Sequence, residues 1–182
     1  DSGELRKALG QVHIWPMEIL SQVMEIRQLL DTPATALAAL RRKDRDLAKM
    51  DECISMLEKI HMDKDPLEAP LGAYWNTALH STIFKATGNT LLARIYESLL
   101  EMSEKGITAM RMDVLDSAAP DRTGKILEQH RKLVAAIRDQ DVERARDASR
   151  GHLRFTIDTL VELSRVSPVS NFFAERMDSA LE

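Results

Sequence analysis

The sequence predicts an all-α fold, an antiparallel bundle of about six to seven helices, and three observations carry that prediction. Apolar residues recur at helical spacing along almost the whole chain. Alternating runs of Val, Ile and Thr bounded by hairpin turns, which would mark strands, are nearly absent. Helix breakers divide the chain into segments joined by short connections, and short connections make successive helices antiparallel neighbours.

The first helix is expected over 16–41, with Pro16 near its start and a bend near Pro33, whose ring removes one backbone donor. A second follows over 44–61. Pro66 and Pro70 in DKDPLEAP break the chain before a third helix over 67–87. Gly88 and Asn89 end that helix, and the Asn89 side chain is placed to cap the free amides of a fourth over 90–117. Ala119-Pro120 precedes a fifth over 121–138, Asp139 to Asp141 separates it from a sixth over 141–165, and Ser167-Pro168 precedes a last one over 169–180. Residues 1–15 read as a linker or N-terminal extension and 16–182 as one helical domain, with no internal repeat.

The 182 residues suit one domain, and 44% hydrophobic with 30% charged residues is ordinary for a globular chain. A formal net charge of −4 gives no basic footprint for nucleic acid, and the dense patch RRKDR at 41–45 is broken by Asp44, so it reads as a solvated helix end. Cys53 stands alone, so no internal disulfide can form. There is no apolar run long enough for a membrane span and no signal-like core in DSGELRKALG, which points to a cytoplasmic location.

Histidines carry the functional signal. In the fifth helix, His130 shares a stripe with Ile126, Leu127, Leu133, Val134 and Ile137 and so faces the core. In the sixth, His152 follows Val142, Ala145 and Ser149 on a comparable path and continues toward Thr156, Thr159 and Leu163. Each lies roughly 16 Å along its helix from the turn at about 1.5 Å per residue, so the two come level in an antiparallel pair. A third, His80 in AYWNTALHSTIF, shares a helix face with Asn76 at i and i+4, with Trp75, Leu79 and Ile83 marking the packed side. Neutral imidazoles are good ligands for Zn²⁺ and other late first-row ions, so three inward histidines and one amide oxygen make a candidate metal site. The alternative is three core histidines satisfied by neighbours. His13 and His61 fit surface or capping roles, and Glu58 with His61 makes a lone Glu-x-x-His pair with no second copy.

Three segments together resemble the ligand-binding C-terminal domain of FadR-type regulators, the FCD domain of the GntR superfamily of bacterial transcription factors. MEIRQLLDTPATALAALR is similar to that family's first helix, NTALHSTIFKATGNTLL to its metal-binding segment, and EQHRKLVAAIRDQDVERARDASRGHL to its two-histidine hairpin. The resemblance covers about residues 17–165. It implies an effector-sensing, non-enzymatic domain that holds a divalent ion, Zn or Ni, through an aspartate and three histidines, with a small carboxylate effector completing the coordination. The histidines match His80, His130 and His152, while Asn76 stands at the aspartate position, which implies weaker metal binding. Arg27 matches the arginine facing the pocket, whose guanidinium can take a carboxylate through two parallel hydrogen bonds. Read without the resemblance, Arg27 fits a surface ion pair with Glu25 or Asp31. The resemblance further implies a homodimer, and operator DNA contact through a winged-helix domain absent from these residues. A metal-dependent hydrolase and a purely structural helical interaction domain are the alternatives.

Overall fold

The computed structural model describes residues 17–63, 68–101 and 121–166, the side chains of 17–20, 69 and 163–166 excepted. They form six helices: α1 (Met17–Arg41), α2 (Asp44–Asp63), α3 (Ala69–Ala86), α4 (90–101), α5 (Arg122–Arg138) and α6 (Val142–Val166). No strand occurs among the described residues, and none of their helices is long and apolar enough to cross a membrane. The expected helix over 169–180, the end of the one over 90–117, and His13 lie outside the described residues.

Helix α1 occupies the middle, packing on α6, α3 and α5, while α2 lies against α3 and α5, and α5 pairs with α6. It runs through Pro33 without interruption. Pro33 is on the exposed side of the helix and so is Leu29, whose carbonyl loses its usual donor, so water can take the place of the missing N–H. The RRKDR stretch is more than a solvated end. Arg41 donates through Nη1 to the Thr87 carbonyl (3.1 Å) and Arg42 through Nη2 to the Arg138 carbonyl (2.7 Å), so two cations close the C-terminal ends of α3 and α5.

Local chemistry fixes each turn that positions the site. Gly88 takes φ +72°, the left-handed conformation that terminates α3, and the Asn89 side chain then accepts from the Leu92 amide (3.1 Å), capping α4 as expected. The Asp121 side chain caps α5 by accepting from the Gly124 amide (2.9 Å). A Cβ at Gly124 would lie 2.2 Å from Asp121 Oδ2, so a larger residue there would make the capping side chain shift. Between α5 and α6 the Asp141 amide donates to the Ala136 carbonyl and Gln140 takes φ 55°; Asp141 then caps α6 by accepting from the Arg144 amide (3.0 Å). This tight reversal makes α5 and α6 a hairpin and sets the two histidines level.

Three apolar clusters hold the bundle. The largest joins Met50 and Leu57 of α2, Leu79 and Ile83 of α3, and Val134 and Ile137 of α5. A second links Met24 of α1 to Leu153, Ile157 and Leu160 of α6. A third packs Ala34, Phe84, Tyr96 and Leu100 between α1, α3 and α4, with the Phe84 and Tyr96 rings stacked.

Candidate metal centre

Between these clusters lies a buried polar layer drawn from four helices. The α5 stripe that places His130 among Ile126, Leu127, Leu133, Val134 and Ile137 is buried throughout, as its spacing predicts. On α6, Ala145, Ser149, His152, Thr156 and Thr159 are buried in the same way. On α3, Leu79 and Ile83 are buried and Trp75 partly so, which turns Asn76 and His80 inward.

The three histidines meet. Ring centroids are separated by 5.3 Å for His80–His130, 5.1 Å for His80–His152 and 4.7 Å for His130–His152. One nitrogen from each lies within 4.8 Å of the others, and all three residues are buried. Zn–N bonds of about 2.0–2.1 Å require the nitrogens to be somewhat nearer, a movement within reach of side-chain rotation. Asn76 is also buried, at 8% exposure, one turn before His80.

The protonation state suits a metal. Burial first, then the charge of Arg27 and the other two histidines, holds His80 well below the ordinary 6.5; burial, then His130 and Arg27, does the same for His152. Both imidazoles are therefore neutral near pH 7 and keep a lone pair. Nδ1 of His152 lies 3.2 Å from Gln129 Oε1 and can donate to it, which leaves Nε2 as the ligating atom. Nε2 of His80 is buried with no hydrogen-bond partner among the described residues. Neutral nitrogen donors and a buried orphan nitrogen fit a divalent late first-row ion.

Arg27 is 3% exposed and donates through Nε (3.1 Å) and Nη2 (2.9 Å) to Oδ2 of Asp31, one turn on. The pair with Asp31 thus exists, but in the interior and not at the surface. Burial alone would weaken the Arg27 charge, yet Asp31 beside it holds the guanidinium pKa above its usual value; burial raises that of Asp31 in turn. The Tyr96 hydroxyl stands against the pair without a well-formed hydrogen bond among the described residues. Asp31, Tyr96 and Gln129 adjoin the candidate site residues, and motif reading misses them. The i,i+4 spacing of Arg27 and Asp31 was the one available signal, and it does not distinguish a buried pair from an exposed one.

Asp31, Thr35, His80, Ser149 and His152 border an enclosed space of about 10 Å³, room for one water molecule. Outside it, a surface groove of about 430 Å³ between α1 and α6 is lined by Gln28, Thr32, Arg150, Leu153, Arg154 and Ile157. The Thr32 hydroxyl, on the groove, donates to the Ser149 hydroxyl, on the inner space, at 3.4 Å. Other candidates have structural roles. His61 Nδ1 lies 3.0 Å from the Thr123 hydroxyl at the start of α5, and Glu58 accepts from Arg131 on the surface.

Comparison with known proteins identifies the family and the fold. A model of the FCD domain family matches residues 22–155. The Uxu operon transcriptional regulator of Escherichia coli K12 is 24% identical over 149 residues, covering 81% of this chain and 56% of that protein. The HTH-type transcriptional regulator LutR of Bacillus subtilis 168 is 22% identical over 157 residues, covering 86% of this chain and 69% of LutR. Among solved structures, E. coli McbR/YncC superimposes with a TM-score of 0.64 at 22% identity, over 79% of this chain and 64% of that one. Streptococcus agalactiae GntR gives 0.64 at 22% identity, over 81% and 63%. The chain therefore spans little more than half of the Uxu regulator and under two thirds of the two solved structures. These relatives are regulators, not enzymes, and the chain belongs to the FCD domain family, the effector-binding domain of GntR-family transcriptional regulators.

Proposed function

We propose that this domain senses a small organic acid at a divalent ion, Zn or Ni, held by His80, His130 and His152 with Asn76 beside them. The convergence of three buried imidazoles from three helices within 4.8 Å carries this reading. The bound ion supplies Lewis-acid attraction for a carboxylate oxygen. Asn76 brings an oxygen without charge, so the ion is held less firmly than with a carboxylate in that place. Arg27 takes the far side of the acid, its Nη1 having the Met24 sulfur at 4.0 Å as its hydrogen-bond contact.

The inner space is too small for an organic acid, so binding must widen it. The groove beyond the Thr32–Ser149 contact offers room for entry, and Arg150 and Arg154 on its rim attract an anion. Widening that seam separates α1 from α6, which gives the ligand a preference for one helix arrangement over another, the requirement for any signal. The signal passes to a winged-helix domain outside these residues, which contacts operator DNA in the cytoplasm. The domain pairs with a second copy, a reading supported by the exposed apolar side chains Ile26, Leu29 and Leu40 of α1 and Leu91 and Ile95 of α4.

A thermal-shift screen of metabolic carboxylates with added Zn²⁺ or Ni²⁺ tests this reading. The expected result is a rise in melting temperature for one class of acid that needs the metal and disappears in His130→Ala and Arg27→Ala. A rise that persists in both variants contradicts the site.

A further inference from the structure

The proposed site has a charge problem that its own ligands do not solve. Three imidazoles and an amide are neutral, so a dication among them keeps its full charge in a low-dielectric interior, which is costly without an anion nearby. Among the described residues Arg27 and Asp31 are the charged side chains that are buried. Asp31 uses Oδ2 for both hydrogen bonds from Arg27, while Oδ1 is buried without a well-formed hydrogen bond among the described residues, the Tyr96 hydroxyl being a donor that stands against the pair. A carboxylate oxygen left in that condition is unfavourable unless a cation or donor completes it. Asp31 borders the same 10 Å³ space as His80 and His152. It does not join the group of mutually close ligand atoms, so it acts across the gap and not as a direct ligand.

We infer that Asp31 is the charge-compensating partner of the three-histidine site: Oδ1 faces the cation across the space of one water, while Oδ2 stays on Arg27. The inference rests on the metal reading above and extends it to a residue on a fourth helix. Asp31 couples the two halves of the site, because one carboxylate serves both the ion and the guanidinium proposed to hold the acid. It is a positioning residue, and its effect is on metal affinity.

The test compares Zn²⁺ affinity, by competition with a chromophoric chelator at neutral pH, in wild type, Asp31→Asn and the double variant Arg27→Met/Asp31→Asn. Metal-free melting temperatures are measured alongside. The double variant is decisive, because it removes one charge of each sign and leaves no unpaired buried ion, so it folds even where the single variant does not. Asp31→Asn should bind Zn²⁺ at least about tenfold more weakly, the scale of outer-shell partners, and the double variant should fall between Asp31→Asn and wild type, because it also loses the repelling charge of Arg27. A double variant that changes the metal-free melting temperature but keeps wild-type Zn²⁺ affinity would show that the pair is structural, overturning the inference and leaving the metal site intact. Absence of Zn²⁺ binding in wild type overturns both.

Discussion

Helices α3, α5 and α6 each contribute to two layers of different chemistry. Toward the α5–α6 turn, Leu79, Ile83, Val134, Ile137 and Ala145 pack with Met50 and Leu57 of α2 into a wholly apolar cluster. Farther from that turn on α5 and α6, His130 and His152 take equivalent inward positions and meet His80, with Arg27 and Asp31 buried nearby. Both layers are equally shielded from water, yet burial stabilises the first outright and the second only where polar groups find partners. The apolar layer accounts for the fold. The polar layer has no comparable structural reason, and its orphan atoms, His80 Nε2 and Asp31 Oδ1, are what a ligand would complete.

The largest expected effect comes from breaking the buried ion pair. Arg27→Met leaves Asp31 uncompensated and should cost about 3–5 kcal/mol in urea unfolding, with most of it recovered in the double variant with Asp31→Asn. A loss under about 1 kcal/mol would place the pair in water. In the apolar layer, Met50→Ala removes a fully buried side chain from α2 and should cost about 2–5 kcal/mol while leaving metal affinity unchanged, which sharpens the separation of the two layers.

Acid should act on the polar layer alone. His80 and His152 have folded pKa values well below 6.5, so the unfolded chain takes up protons first as pH falls. Their contribution is present in full above about 6.5 and is lost progressively below it. Melting curves of the metal-free protein between about pH 7.5 and 5 should therefore fall in stability, and a His80→Gln/His152→Gln variant should flatten that slope. An identical slope would assign the acid sensitivity elsewhere. Smaller effects belong to the frame: Asp121→Ala removes the α5 cap and should cost about 0.5–2 kcal/mol in the same urea assay. Glu58→Ala breaks the exposed pair with Arg131 and should cost no more than about 1 kcal/mol.

How far the sequence could be read follows the same division. Among the described residues, helical periodicity located the helices to within a few residues, because the apolar stripes that define them are the surfaces that pack. The hairpin register of His130 and His152 was legible for the same reason, since two helices of equal reach from a tight turn must come level. Partner choice inside the polar layer was not legible. That Arg27 lies buried against Asp31, or that Gln129 holds the His152 ring, depends on how α1, α5 and α6 approach one another, and no local spacing encodes that. The role of Arg41 and Arg42 at the ends of other helices was hidden likewise, because both carbonyl partners lie far away in sequence.

The central claim is that His80, His130 and His152 are arranged to hold a metal ion. Elemental analysis of the protein after incubation with Zn²⁺ or Ni²⁺ and desalting tests it most directly. One retained ion per chain is expected, lost in His130→Ala while the helical circular dichroism signal persists. Wild-type protein that retains no more ion than the variant would contradict it.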